Sequence, residues 1–395
     1  MLPPGSGRLL GVVSNGPSPS LRRHSSYIAL AGVAPHVLRL LSTVATNISR
    51  GSVRSEKDAQ VTIIVVPRER FGVTRRALEA VYANTAEPFN LVYVDGGSPR
   101  RIRRYLAQEA EARGFTVVRT DRYLIPNEAR NLGLRHVRTP YVVFIDNDAV
   151  PSPGWLGKLV ECAEATGAWV VGPTYYIGEP EREEIHMAAG DARIEEWRGG
   201  RRFVDRHRFA GKRHADVRAQ LVRMPCEQVE FHCLLVRTEV FERIGLLDED
   251  LRSVCEHSDL CLLVRQQGHQ VYFEPAAVVT YVTSGRFRPS DYLFYFLRWS
   301  ESWNVGSVER FREKWGLHSD DPGTKSLARW AAAHRRIPFE PVLHGLERVL
   351  GWRWGRWVGD TLLMGLERRI NRRLVRPRSP SSGRSARTDG VPAAN

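Results

Sequence analysis

Cysteine is scarce in this chain and badly arranged for cross-linking. The five cysteines (Cys162, Cys226, Cys233, Cys255 and Cys261) are odd in number and never form a CxxC pair, so neither a disulfide framework nor a zinc knuckle is suggested. A reducing, cytoplasmic compartment fits that usage. Long hydrophobic runs are missing as well. A membrane-spanning helix needs about 20 largely apolar residues. The most apolar part of the N-terminal region, residues 27–46, is interrupted by Pro35, His36 and Arg39. No charged segment leads straight into an apolar stretch, so neither a signal peptide nor a spanning helix is expected. Acidic residues are outnumbered, 44 against 58 Lys and Arg, which leaves a formal net charge of +14. Such a surface attracts an anion: a nucleic acid, a membrane leaflet or a phosphorylated ligand. A nucleic-acid binder would show clustered bases with stacking aromatics in a recognised module, and the sheet-forming half has none. Nucleic acid is therefore not an expected partner.

What remains is the composition of a globular protein, 42% hydrophobic and 26% charged over 395 residues. Residues 1–58 are rich in Ser, Gly, Pro and Arg and read as a disordered leader. From Val61 the texture changes. The run Val61 to Val66 reads as a buried strand ended by Pro67, followed by a helix over Thr74 to Asn84. Then come the strand Leu91 to Val94, a helix over Ile102 to Arg113, the strand Phe115 to Val118, a helix from Asn127 to about Val137 and the strand Tyr141 to Ile145. Alternation of this kind predicts an α/β fold with a mainly parallel central sheet flanked by helices on both faces. The expected organisation is a main α/β domain over 59–285 with halves 59–150 and 151–285, a helical basic extension over 286–375, and a disordered tail from 376 to 395.

The second half is less regular. Residues 178–223 are dense in Arg, Glu and His, then Val229 to Arg237 reads as a strand, Thr238 to Ile244 and Ser258 to Gln267 as helices, and His269 to Glu274 and Ala277 to Thr283 as two strands. From Arg335 to Arg376 arginines interleave with Trp352, Trp354, Trp357, Leu362, Leu363 and Leu366. A basic helix with an aromatic face suits an anionic membrane surface, and it suits a helix pair packed on the main domain equally well. Gly351, Gly355 and Gly359 fall at a helix-packing spacing.

Ligands of parallel sheets bind beyond the carboxyl ends of the strands. That rule singles out Pro67-Arg68-Glu69, Asp95-Gly96-Gly97-Ser98 and Asp146-Asn147-Asp148. Two carboxylates one residue apart at a strand end can share a divalent cation with phosphate oxygens.

The stretch Tyr141 to Trp155, which contains Phe144-Ile145-Asp146-Asn147-Asp148, resembles the metal-binding region of family-2 glycosyltransferases. Ile64 to Pro67, Val94-Asp95-Gly96-Gly97-Ser98, Asn127 to Gly133, Gly245 to Asp250 and Glu256-His257-Ser258-Asp259-Leu260 are similar to that family's other landmarks, in the same order. The resemblance spans about Val61 to Tyr281 and implies the nucleotide-diphospho-sugar transferase fold of GT-A type.

It implies an inverting transfer of a sugar from a nucleoside-diphosphate donor to a hydroxyl of a glycan or lipid-linked acceptor. Asp146 and Asp148 would hold Mn2+ or Mg2+, and Asn147 would meet the ribose or sugar. Asp95 would accept from the base, with Pro67, Arg68 and Glu69 walling the nucleoside. Arg130 and Asn131 would face the donor, and Trp155 the acceptor, although a core position suits that tryptophan nearly as well. Where the family commonly reads Glu-Asp-x-Asp-Leu, with the second residue as base, this chain has His257. Either His257 or Glu256 would then be the base, with Asp259 orienting it or touching the acceptor. The family's late histidine is replaced by Thr280-Tyr281, so water or a histidine elsewhere would complete the metal shell. The enzyme is expected in the cytoplasm, peripherally on the inner face of the cell membrane, and a catalytically silent scaffold of the same fold at a membrane surface is the alternative.

Overall fold

The computed structural model describes residues 59–283 and 287–375. The expected leader and tail, 1–58 and 376–395, lie outside the described residues, as does the expected boundary at 285/286. The first half is built from β1 (Val61–Val66), α1 (Thr74–Asn84), β2 (Phe89–Gly96), α2 (Arg100–Arg113), β3 (Thr116–Thr120), α3 (Pro126–Leu134) and β4 (Tyr141–Asp146). These strands lie parallel in the order β3-β2-β1-β4, and every residue of β1 and β4 is buried, as expected where helices cover both faces. Gly133 lets α3 settle onto β1, since a Cβ there would come within 2.5 Å of the Ile64 side chain.

Beyond β4 come β5 (Ala149–Pro151), α4 (Trp155–Thr166), β6 (Val170–Ile177), β7 (Ile185–Met187), β8 (Gly190–Trp197), β9 (Gly200–His207), α5 (His214–Val217), β10 (Met224–Cys226), β11 (Cys233–Arg237), α6 (Val240–Ile244), α7 (Glu256–Gln266) and β12 (Val271–Tyr281). The sheet turns mixed here, because β11 runs antiparallel to both β4 and β6. Three sequence expectations are corrected. The strand read from Val229 starts only at Cys233, whose N–H donates to the Glu230 carbonyl at 3.3 Å and closes a turn there. The polar stretch 178–223 contains β7 and the β8–β9 hairpin. The two strands read at His269 and Ala277 are one, β12, whose register shifts between Glu274 and Val278. Pro275 lacks the N–H that an unbroken ladder would use there.

The C-terminal part is helical: α8 (Tyr292–Arg298), α9 (Glu301–Trp315), α10 (Pro322–His334) and α11 (Glu340–Val375). It shares a second apolar core with the main domain, in which Tyr295, Trp299, Phe311 and Trp315 meet Phe203, Leu251 and Val254. The Asp321 carboxylate caps α10 by accepting from the Thr324 N–H at 2.7 Å, and it also accepts from the Phe203 N–H on β9 at 3.0 Å. At Gly351 (φ 77°, ψ 157°) α11 breaks into two antiparallel arms. A Cβ on Gly355 would lie 2.5 Å from the Glu347 backbone and one on Gly359 2.2 Å from Leu343, so these two glycines pack the arms against each other.

Candidate functional site

Because β11 pairs antiparallel with β4 in the register Cys233↔Ile145, the preceding residue, His232, falls beside Asp146, whose N–H donates to the His232 carbonyl at 3.2 Å. The His232 ring turns the same way, with Nδ1 3.2 Å from Asp146 Oδ2. Asp146, Asp148 and His232 are all buried, and one ligand atom from each lies within 4.8 Å of the others. Both oxygens of Asp148 are buried without a hydrogen bond, as are Asp146 Oδ1 and His232 Nδ1. Burial raises the Asp148 carboxyl well above the usual carboxylate range, and the neighbouring Asp146 and Glu69 push it the same way. Burial acts on Asp146 too, but His232, Arg68 and Arg130 outweigh it and hold that carboxyl low. The Arg68 and Arg130 guanidinium groups stand 3.4 and 3.5 Å from it. Burial, assisted by Arg68, brings His232 down to about 4, so its ring is neutral and able to ligate.

The two aspartates lie just behind the wall of a cavity of about 720 Å³, which Arg68 and His232 line. Its wall is completed by Glu69, Glu230, Glu256, His257, Tyr281 and, from the C-terminal helices, Tyr295, Arg298, Trp299, Trp330 and His334. Glu69 accepts from Tyr281 Oη at 2.7 Å and Trp299 Nε1 at 2.9 Å, which ties the strand ends to α8 and the residue that follows it. Cys255, in a left-handed conformation at φ 70°, turns the chain into α7, and the first two residues of that helix face the cavity. Glu256 Oε1 stands 3.6 Å from Arg298 Nη2 without a hydrogen bond, and His257 Nε2 is buried without a partner. Burial lowers the His257 imidazole against the pull of Glu230, Asp205 and Glu256, which favours the neutral form.

Several residues singled out from the sequence have their polar atoms spent on the protein itself. Asn147 accepts from the Arg68 N–H and donates to the Arg70 carbonyl and Thr74, so it braces the loop after β1 and is not turned to a ribose. Asn131 bonds the Leu247 backbone in both directions and Glu249, which anchors the segment before α7. Trp155 is wholly buried with its Nε1 on Thr85; of the two readings, the structure takes the core one. Asp259 is corrected too: Lys314 and Trp315 on α9 capture both of its oxygens, at 2.7 and 2.9 Å, and it does not line the cavity. Asp95 accepts from Ser98 and Arg119, and neither it nor the buried Pro67 borders the cavity. Arg130, stacked 3.7 Å over the Phe231 ring, points at Asp146.

The sequence reading missed His232, Glu230, His186, His207, Arg298 and Trp299, all of which line the cavity. The replaced late histidine hinted that an imidazole would come from elsewhere. The antiparallel direction of β11, which selects His232, left no local mark.

With this geometry in place, the comparison with known proteins is direct. The family model described as "Glycosyl transferase family 2" matches residues 62–243, so this stretch of the chain carries a domain of that family. A pre-mycofactocin glycosyltransferase of Mycobacterium tuberculosis is 26% identical over 156 residues, which cover 40% of this chain and 30% of that protein. The succinoglycan biosynthesis protein ExoW of Rhizobium meliloti is 35% identical over 103 residues, 25% of this chain and 32% of its own length. The chain thus spans about a third of the curated relatives it matches. Among solved structures, a mannosyltransferase from Pyrobaculum calidifontis, in complex with GDP-Man and Mn2+, covers 85% of this chain and 94% of its own at 14% identity with a TM-score of 0.43. So loose a likeness carries no argument about ligands.

Proposed function

We propose that this protein transfers a sugar from a nucleoside-diphosphate donor to an acceptor hydroxyl with inversion, in a reaction that depends on a divalent metal ion. The observation that carries the reading is Asp148: a carboxylate with both oxygens buried and unpartnered, beside Asp146 and His232, at the end of β4 in a family-2 domain. A buried charge without a partner costs several kcal/mol. A cation is the partner this donor set fits, and Asp146, Asp148 and His232 would hold it. Mn2+ or Mg2+ bound there supplies positive charge against the diphosphate of the leaving group.

The chain's own residues support the rest. Arg68 and Arg298 bring positive charge to the cavity, where a phosphate would be held. Neutral His257, with an unpartnered Nε2, is able to take the proton of an acceptor hydroxyl; Glu256, beside Arg298, is the other group that can. Tyr281, Tyr295, Trp299 and Trp330 offer faces on which a sugar ring can pack. The test is thermal stability of the full chain against a panel of nucleoside diphosphates and their sugars, with and without Mn2+. A nucleotide at 100 times its Kd adds about 2.7 kcal/mol. If no nucleotide gives a metal-dependent shift, the reading fails.

The acceptor belongs to the same proposal. Trp352, Trp354, Trp357, Leu362 and Leu366 on α11 are exposed among arginines, although no helix of the described residues is long and apolar enough to cross a membrane. This face suits an anionic leaflet carrying a lipid-linked acceptor. Truncation after Asp321 would remove α10 and open the cavity, so the cleaner test is Trp352→Ser, Trp354→Ser and Trp357→Ser together. That variant should sediment less with anionic vesicles at low salt. Equal sedimentation of the two proteins would remove the leaflet from the proposal.

A further inference from the structure

Glu230 lies in the turn before β11 and is approached by three imidazoles. His186 Nε2 stands 3.1 Å from Oε2, His207 Nε2 3.6 Å from Oε1 and His232 Nε2 3.9 Å from Oε2. His232 is assigned to the first cluster, its Nδ1 3.2 Å from Asp146 Oδ2. His186 and His207 are not: they come from β7 and the last residue of β9, and with Glu230 they bring three ligand atoms within 4.8 Å of one another. Glu230 is buried, and its Oε2 accepts no hydrogen bond in spite of the 3.1 Å approach. Nitrogen and oxygen ligands about 2.0–2.1 Å from a tetrahedral zinc ion lie about 3.4 Å apart, and each imidazole stands near that separation from one of the two Glu230 oxygens, His186 at 3.1 Å from Oε2 and His207 at 3.6 Å from Oε1.

We propose that His186, His207 and Glu230 form a second metal site, for a zinc-class transition ion, separate from the one at Asp146, Asp148 and His232. The two donor sets differ in kind. Two carboxylates and one imidazole suit a hard ion that travels with phosphates, whereas two imidazoles and one carboxylate suit zinc and its neighbours. Three protein ligands leave a coordination position vacant, as in catalytic rather than structural zinc sites. All three ligands line the cavity, so that position is available to an oxygen of whatever occupies it. The ion would also pin β7, β9 and the turn before β11, three segments that make up one stretch of the wall. The rival is a charge cluster without metal, in which protonated imidazoles surround Glu230: burial opposes charge on His186, but Glu230 outweighs it and raises that imidazole.

The site stands on its own ligands and does not need the sugar-transfer reading. The test uses the full chain stripped with chelator, then titrated with Co2+ and Zn2+ alone while bound metal and the visible Co2+ spectrum are followed. The Asp146→Asn, Asp148→Asn double variant should keep one ion, with a Co2+ band that Zn2+ abolishes. His186→Gln, His207→Gln should lose that band and that ion while retaining Mn2+ binding. Should the aspartate variant misfold, wild type saturated with Mn2+ gives the same count, and should the double histidine variant misfold, His186→Gln alone replaces it. Absence of the Co2+ band from the aspartate variant and from Mn2+-saturated wild type, or its persistence in the Mn2+-saturated histidine variant with native circular dichroism, overturns the second site. Loss of Mn2+ binding alone would strike the sugar-transfer reading instead.

Discussion

Two clusters of buried polar side chains in this molecule are built on opposite terms. At the junction of α7 and α9 a set of buried groups finds its partners inside the protein: Asp259 is met by Lys314 and Trp315, the Ser253 N–H by Ser307, and the Ser253 hydroxyl by the Arg298 carbonyl and Asn304. At the ends of β4 and β11 the capacity to hydrogen-bond is left over, on Asp148, Asp146, Glu230 and His232. Both regions bury aspartate carboxylates. What separates them is whether the protein supplies the partner, and only the second cluster waits for something from outside.

The sharpest way to break that contrast is Asp148→Ala. Metal-dependent nucleotide affinity, measured by calorimetry with and without Mn2+, should vanish, while the melting temperature of the apo protein holds or rises because an unpartnered buried acid has gone. A fall in stability with affinity intact would put Asp148 in the other cluster.

Next come the two groups at the head of α7. If His257 is the base, His257→Ala should lower turnover by about 10²- to 10⁴-fold and leave nucleotide affinity intact. If Glu256 is the base, Glu256→Gln should show that loss and His257→Ala little. Near wild-type transfer in both would move the base elsewhere.

Asp259→Ala sharpens the contrast from the opposite side. It strands Trp315 Nε1 and a partly exposed Lys314, so it should cost about 1–3 kcal/mol of stability in chemical denaturation with nucleotide affinity unchanged.

The smallest effect is in pH. Burial, with Asp146 and Glu69, raises the Asp148 carboxyl, so the apo protein keeps that proton above the ordinary carboxylate range and an arriving cation must displace it. Mn2+ affinity should therefore rise with pH up to the apo value of Asp148 and then level off. With His232 at about 4, that ring adds no further slope near neutrality. A flat profile from pH 5 to 8 would mean that Asp148 is already ionised and its isolation has been overstated.

The first half of the sheet was legible because β1 and β4 are buried on both faces and their strand-helix alternation is local. The same locality placed Asp146 and Asp148 at the end of β4 and Glu256 and His257 at the head of a helix. It failed at Asn131, Asn147 and Asp259, whose partners (Leu247, Arg70 and Trp315) are between 56 and 116 residues away. It failed also for His186 and His207, which lie in a polar stretch whose hairpin shows no apolar alternation to betray it. Residues 286–375 read as helical and basic, but composition could not tell the buried Trp299 and Arg298 from the exposed Trp352 and Trp354.

The cavity is walled by residues from Arg68 to Ile337, whereas the last strand of the sheet ends at Tyr281. During synthesis at about 5–20 residues per second, a nascent chain would complete its sheet about 1–4 s before Tyr295 and Trp299 emerge and about 2–10 s before Trp330. In that interval the half-made wall, with the seat that Trp299 will fill against Glu69, stands open to water. The growing chain thus passes through a stage at which it is folded enough to be sticky and not yet closed enough to work, and chaperones would have most to hold during those seconds.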